Sequence, residues 1–136
     1  MSEHQNIELW NQKRVLWQNS SGYRIVSGNQ DNTYLTLWTH DNAKVGELSA
    51  VVIQKKHPIR RVVELRAKIR CAEISAAHRG QRLGLQLYAV MLSHLPEGVC
   101  GLYSYLPDRN NRRQIPRIYA ALRGYVFDGD HAFIDR

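Results

Sequence analysis

The order of periodicities along the chain predicts an α+β fold: a mixed, mostly antiparallel twisted sheet that contains a parallel strand pair joined by a crossover helix. Two observations carry this. Residues 22–75 alternate between short β-branched or aromatic runs and turn-type clusters, the pattern of an antiparallel meander. Residues 62–106 then read strand, helix, strand, and such a unit is most simply parallel with a right-handed crossover.

Residues 1–20 hold apolar groups (Ile7, Leu9-Trp10 and Val15-Leu16-Trp17) without a clean period, and read as a weak strand or an irregular lead-in. GYRIVSG at 22–28 is an apolar run between glycines and reads as a strand, and NQDN at 29–32 is a turn by composition. TYLTLWTH at 33–40 alternates, with Leu35 and Leu37 sharing a face with Thr33 and Thr39, opposite Tyr34 and Trp38. DNAKVG at 41–46 is another turn, and ELSAVVIQ at 47–54 a further strand. In KKHPIRR at 55–61, Pro58 argues for a connection rather than a central strand. From Val62 to Ser75 the period is two: Val63, Leu65, Ala67, Ile69 and Cys71 fall on one face, and Glu64, Arg66, Lys68 and Arg70 on the other. The expectation is a half-buried strand with a basic outer face, either simply solvated or facing an acidic acceptor or nucleic acid.

The period changes at Leu83. Leu83, Leu87, Val90-Met91 and His94-Leu95 recur at three to four, which makes an amphipathic helix stopped by PEG at 96–98. VCGLYSYL at 99–106 is the next strand, and PDRNNRRQIP at 107–116 a basic loop. RIYAALRG at 117–124 is a short helix with Ile118, Ala121 and Leu122 as its stripe and Gly124 just past its end. YVFDGDHAFIDR closes the sequence as two short strands about a DGD turn.

A length of 136 residues predicts a single domain over residues 1–136. Hydrophobic residues at 43% and charged residues at 23% match ordinary globular usage and argue against wholesale disorder. No apolar run approaches the roughly 20 residues that span a bilayer, and the polar N-terminus lacks a signal-peptide core. A cytoplasmic protein without a membrane partner is therefore expected. Cys71 and Cys100 lack metal-ligand spacing and read as reduced core residues, and the histidines form no paired cluster, so no metal is expected. The net charge of +7 suits an anionic partner such as nucleic acid, a membrane surface or a phosphate-rich cofactor, and does not choose among them.

Ser75–Leu95 reads SAAHRGQRLGLQLYAVMLSHL, a glycine-bearing loop that opens straight into the helix. Unpaired amides and the helix dipole make such a head an anion site. Gly80 and Gly84 let the backbone approach, and Arg79 and Arg82 can add charge-assisted bonds. The spacing is neither that of a P-loop nor G-x-G-x-x-G, and on its own it also reads as a plain turn.

AEISAAHRGQRLGLQLYAVML, followed by NNRRQIPRIYAALRGYVF, resembles the GNAT acetyltransferase superfamily. Its members place an [RQ]-x-x-G-x-[GA] loop between strand and helix, then an Asn, a Tyr-bearing short helix and a Gly-aromatic pair, here Asn111, Tyr119, Gly124 and Tyr125. The resemblance covers residues 62–128. It implies an N-acyltransferase moving acetyl from acetyl-CoA to a primary amine of a small molecule or protein. It implies that the backbone of Ala72, Glu73 and Ile74 pairs with the pantetheine arm. Arg79, Gly80, Gln81, Arg82, Leu83, Gly84 and Leu85 would hold the pyrophosphate. Asn111 would bond the pantetheine or the short helix, and Tyr119 would protonate the departing thiolate. Three departures set further expectations. Arg82 stands where the family has its first glycine, so the loop shifts or the side chain itself binds phosphate. Asn111 lies one residue further from Tyr119 than usual. The Gly28–Asn32 connection has no room for the two helices that normally wall the acceptor site, so N-terminal helices are reduced or absent and the acceptor side is either stripped down or built by a homodimer partner. Arg109, Arg112, Arg113 and Arg117 would serve the basic surface or the adenosine 3′-phosphate. Two other readings stay open on the same fold: a degenerate, non-catalytic CoA-binding module, and a basic nucleic-acid-binding module.

Overall fold

The computed structural model describes residues 14–106, 117–118, 121–122 and 125–136. Strands β1 (Val15–Gln18), β2 (Arg24–Ser27), β3 (Tyr34–Trp38), β4 (Lys44–Lys56), β5 (Val63–Ile74), β6 (Val99–Tyr105), β7 (Tyr125–Asp128) and β8 (His131–Asp135) form one 8-stranded sheet. The order is β1-β2-β3-β4-β5-β6-β8-β7, antiparallel throughout except for the parallel β5–β6 pair. Helix α1 (Leu83–Ser93) makes the crossover between them. This is the mixed sheet the periodicities predict.

The early turns are tight because asparagine accepts left-handed backbone: Asn32 (φ 58°) closes β2–β3 and Asn42 (φ 65°) closes β3–β4. Among the described residues no helix interrupts β1 to β5, so the N-terminal helices are absent there as the short Gly28–Asn32 connection requires. Leu35 and Leu37 of β3 are fully buried, with Thr33 and Thr39 on their side and Tyr34 and Trp38 half-exposed. They join Ile25, Leu48 and Ala67 beneath Leu83, Leu87, Val90 and Met91 of α1. No helix among the described residues is long and apolar enough to cross a membrane.

Strand β5 departs from its alternation in two ways. Between Ser49 and Ala50 its register with β4 slips, so that Ser49 faces Cys71 while Ala50 faces Ile69. Arg70 is the extra residue of this bulge, and beyond it the faces exchange. Ile69 therefore shares a face with Ala67 and Leu48, whereas Cys71 moves to the other face beside Glu47. Cys71 and Cys100 are free as expected, but half-buried rather than in the core. Burial and the Glu47 carboxylate raise the Cys71 pKa, and the Glu64 carboxylate and burial raise that of Cys100, which keeps both as thiols.

The second departure is charge. The basic outer face is broken by Arg66, which is 0% exposed, while Val63 of the supposedly inner face is 65% exposed. The Arg66 guanidinium donates to the carbonyls of Leu102 (3.2 Å) and Ile134 (3.1 Å), to Glu64 (3.1 Å) and to Asp135, and lies over the Phe133 ring. Arg60 bridges the same two carboxylates from outside. Alternation reports which face a residue occupies. It does not report that groups of β6 and β8, the Phe133 ring among them, meet the Arg66 side chain on that face. The space is made by Gly101, where a Cβ would stand 2.0 Å from the Ile134 carbonyl oxygen and 2.7 Å from the Arg66 guanidinium.

Burial pushes the Glu64 and Asp135 carboxyls up, and hydrogen bonds outweigh it, from Cys100 and the two arginines for Glu64 and from Arg60 and Arg66 for Asp135. Both folded pKa values lie below their unfolded ones, so this stability is present at neutral pH and is lost as pH falls below about 4. Arg66→Ala is expected to cost about 3–5 kcal/mol in urea unfolding, by stranding buried carboxylate and leaving a void, and Arg66→Met clearly less. The Arg66→Met protein is also expected to lose less stability on acidification than the parent, read from the same unfolding curves taken at falling pH.

Candidate functional site

The parallel pairing of β5 with β6 runs from Leu65–Val99 to Lys68–Tyr103 and stops. From there β6 continues with β8 alone, up to the Tyr105–His131 pair, while β5 continues with β4 alone to the Gly46–Ile74 pair. The two strands splay. Among the described residues, Ile69–Ile74 has no strand on its β6 side, so its outward backbone groups, apart from the Ile74 carbonyl that Arg79 takes, are open to an extended ligand.

That open edge leads into the loop at 75–82. After Ile74 the chain makes a 3-10 turn at Ala76–His78, passes Gly80 at φ 86° and Arg82 at φ 59°, ψ 22°, and enters α1. The loop keeps a left-handed backbone at the position where the resembling family has glycine, with arginine adopting it at roughly 1–2 kcal/mol. Arg82 is exposed and makes no side-chain cap. The first helical bond runs from Gln86 N–H to the Arg82 carbonyl (3.1 Å), which leaves the amides of Leu83, Gly84 and Leu85 ahead of it at the positive end of the dipole.

The loop is held from behind. The Tyr23 hydroxyl meets His78 Nδ1 at 2.7 Å and accepts from Gln81 Nε2 at 3.2 Å, so the Gln81 side chain engages β2 and does not line the cleft. Arg79 Nε donates to the Ile74 carbonyl at 3.0 Å, tying the loop to the end of β5.

Edge, loop and helix head share one cleft of about 1240 Å³. Ala72, Glu73, Ile74, Arg79, Gly80, Arg82, Leu83, Gly84 and Leu85 all line it. At Gly84 a Cβ would touch Ile74 (3.6 Å) and Ile118 (3.9 Å), so glycine keeps the passage between them wide. Asn111 and Tyr119, and with them Arg109, Arg112 and Arg113, lie outside the described residues. Arg117 lines the cleft from the far side.

Sequence reasoning missed the opposite wall, Lys44, Gly46 and Glu47. The signal was present: in an antiparallel hairpin the start of one strand lies beside the end of the next, which puts residues 44–48 beside 72–75. Lys44 Nζ (3.1 Å) and the Tyr34 hydroxyl (3.0 Å) donate to Glu47, and these bonds hold its carboxyl below the usual range. Glu47, Cys71 and Glu73 also bring possible ligand atoms within 4.8 Å of one another, with the Lys44 ammonium already on Glu47.

No family profile matches the sequence, and no curated protein matches it. Solved structures do. A variant of the AtaT toxin, with a tyrosine changed to phenylalanine and bound to the C-terminus of the antitoxin AtaR, superposes with a TM-score of 0.59 at 12% identity, over 75% of this chain and 66% of that one. The same toxin variant with AtaR and acetyl-CoA gives 0.58 at 12% identity, over 75% and 66%. A KacTA–DNA complex gives 0.55 at 15% identity, over 86% of this chain and 70% of that one. The chain has the GNAT fold. The match spans just under two thirds of the AtaT chains.

Because Arg82 sits at positive φ with a free side chain, Arg82→Gly is expected to leave the fold as stable or raise it by up to about 1 kcal/mol, strain relief being offset by glycine's extra unfolded entropy. Arg82→Val is expected to lower stability by about 1–3 kcal/mol, because a β-branched residue is strained there. Thermal unfolding of the two variants reads both.

Proposed function

We propose that this chain is an N-acyltransferase that moves an acetyl group from acetyl-CoA to a primary amine. The observation that carries the reading is the meeting, in one cleft, of the strand edge at Ala72–Ile74, which has no β6 partner, with an uncapped helix head at Leu83–Leu85. Acetyl-CoA offers complementary chemistry: an amide-bearing arm that pairs with a strand edge, and a diphosphate that suits helix-head amides. A cleft of about 1240 Å³ has room for a ligand of that size. A GNAT-fold neighbour has been solved with acetyl-CoA bound, which supports the same choice.

In this reading the backbone of Ala72, Glu73 and Ile74 orients the arm. The amides from Gly80 to Leu85 hold the diphosphate, with Arg79, Arg82 and Arg117 as cations around it. Asn111 steadies the arm or the short helix. The acceptor nitrogen forms a bond to the acyl carbon as the carbon–sulfur bond breaks. The amine passes its proton to solvent water, and Tyr119 gives one to the leaving thiolate and regains it from solvent. A thiol near pKa 8.5 and a tyrosine near 10 make that transfer close to balanced, so proximity suffices. The AtaT and KacT chains solved as tyrosine-to-phenylalanine variants support attention to this residue type.

A basic nucleic-acid-binding module on the same fold is the second reading, favoured by the +7 charge and by a neighbour solved with DNA. It predicts retention on heparin that falls steeply with salt, whether or not acetyl-CoA binds.

Isothermal titration with acetyl-CoA is expected to give saturable heat, and none at millimolar ligand ends the transferase reading. Tyr119→Phe is expected to lower turnover by about 10²–10⁴-fold, within the usual range for a general acid, with acetyl-CoA affinity nearly unchanged. Acetyl-CoA binding with no thiol released for any amine offered would instead mark a non-catalytic binder.

A further inference from the structure

We propose that His78 binds a phosphate group in the cleft through its Nε2–H, and that Tyr23 is the positioning residue that takes up Nδ1 and so aims the other nitrogen. The phosphate is that of acetyl-CoA in the transferase reading, on which the identity of the ligand rests; the place of the proton does not depend on it. His78 lines the cleft together with Ser75, Arg79 and Gly80. Its Nδ1 meets the Tyr23 hydroxyl at 2.7 Å, behind the loop. Among the described residues nothing bonds Nε2. The two nitrogens of an imidazole point in widely different directions. With Nδ1 turned back to Tyr23, Nε2 is the nitrogen left to meet a ligand.

The direction of the hydrogen bonds fixes the proton. Gln81 Nε2 can only donate, and it donates to the Tyr23 hydroxyl at 3.2 Å. The hydroxyl has one hydrogen of its own, and His78 is the partner left for it. The lengths agree, because hydroxyl donors make shorter bonds than amide donors, and the two contacts are 2.7 Å and 3.2 Å. Nδ1 therefore accepts, and the ring carries its proton on Nε2. Tyr23 is itself held in place: it is buried, its N–H donates to Asn19 Oδ1 (3.0 Å) and its carbonyl accepts from Asn19 N–H (3.0 Å). Its ring meets the imidazole edge-on, at 5.7 Å between centroids and 85° between planes. One anchored hydroxyl thus engages residues on both sides of Gly80, where the backbone turns at φ 86°.

The surroundings suit an anion. Arg79 and Arg82 of the same loop line the cleft with His78. Arg79 is committed to the Ile74 carbonyl through Nε, and Arg82 is exposed. An N–H held in one direction adds what a mobile guanidinium does not, a donor that needs little ordering when the ligand arrives. On the neighbouring element, Asp41 in the turn between β3 and β4 is the carboxylate that feels His78. It is held below its ordinary range chiefly by the Thr39 hydroxyl, with a smaller contribution from His78, and among the described residues it makes no bond to the ring. A phosphate oxygen arriving at Nε2 therefore displaces no protein partner.

Nitrogen-15 NMR of the histidine rings tests this, recorded at about pH 8, above the ordinary titration of imidazole, during titration with acetyl-CoA and with inorganic pyrophosphate. The expected result for the free protein is a bare Nδ1 and a protonated Nε2 on His78, with an Nε2–H signal that moves as either ligand saturates. His78→Phe is expected to weaken acetyl-CoA binding roughly tenfold, as for the loss of one hydrogen bond to an anion. Tyr23→Phe is expected to let a population with the proton on Nδ1 appear, and to weaken binding roughly threefold, because the donor is kept but no longer aimed. A free protein with the proton on Nδ1, and Gln81 turned to present its carbonyl to the hydroxyl, overturns the proposal. So does an Nε2–H signal that bound acetyl-CoA leaves in place, and so does His78→Phe binding as tightly as the parent. Pyrophosphate that moves the Nε2–H signal while acetyl-CoA fails to bind ends the transferase reading and keeps this site. Binding of neither ligand ends both.

Discussion

A buried guanidinium sets the terms for this fold. Arg66 has no exposed surface, and a charge taken out of water needs partners; its two terminal nitrogens have them, while its Nε has none among the described residues. Those partners come from three strands: Glu64 on β5 itself, the Leu102 carbonyl on β6, and the Ile134 carbonyl with Asp135 on β8. The side chain therefore clamps β5, β6 and β8 together just before the last β5–β6 pair, Lys68–Tyr103. Gly101 is part of the same arrangement, because any side chain there would meet both the Ile134 carbonyl and the guanidinium. Past the clamp, β6 follows β8 and leaves β5.

The divergence creates an edge inside the sheet, and the hairpin β4–β5 creates another outside it where β3 ends. Both present unpaired backbone groups, yet their surroundings call for different ligands. The inner edge lies beside an uncapped helix head with Arg79, Arg82 and Arg117 around it, so it suits an extended molecule that ends in an anion. The outer edge carries valines and lysines and has no helix terminus. Since β4 borders both, with Lys44–Leu48 walling the cleft and Val51–Lys56 forming the outer edge, one strand runs from the candidate ligand site to that edge.

Elements were legible in the sequence wherever the cause is local. Helix α1 follows from the spacing of Leu83, Leu87, Val90 and Met91, and β3 from the alternation about Leu35 and Leu37; both are found within a few residues of their predicted ends. The strand-to-helix junction at Arg79–Gly84 was legible because the strand period ends and the helical period begins on either side of it. What the sequence did not show depends on strands distant in the chain. The bulge at Arg70 is a register choice made with β4, and it moves Cys71 to the opposite face without changing any local period. The burial of Arg66 depends on β8, 68 residues away, covering a face that alternation assigns to solvent. Gln81 turns to Tyr23 for a comparable reason, since its partner lies 58 residues earlier.

Arg82 shows how a non-glycine residue at a helix head can take a left-handed backbone and stay exposed. A glycine at a helix head is used for its left-handed φ and for the room it leaves an anion. Arg82 supplies the first at φ 59°, with some strain, and its exposed side chain leaves the amides of Leu83, Gly84 and Leu85 uncapped. The strain is local, whereas the gain from a mobile guanidinium beside an anion site is electrostatic and reaches across the cleft mouth. With Arg79 committed to the Ile74 carbonyl through Nε, Arg82 is the loop cation whose side chain can follow a ligand. A backbone constraint and a side-chain charge, which glycine keeps separate, are therefore combined at one position of this loop.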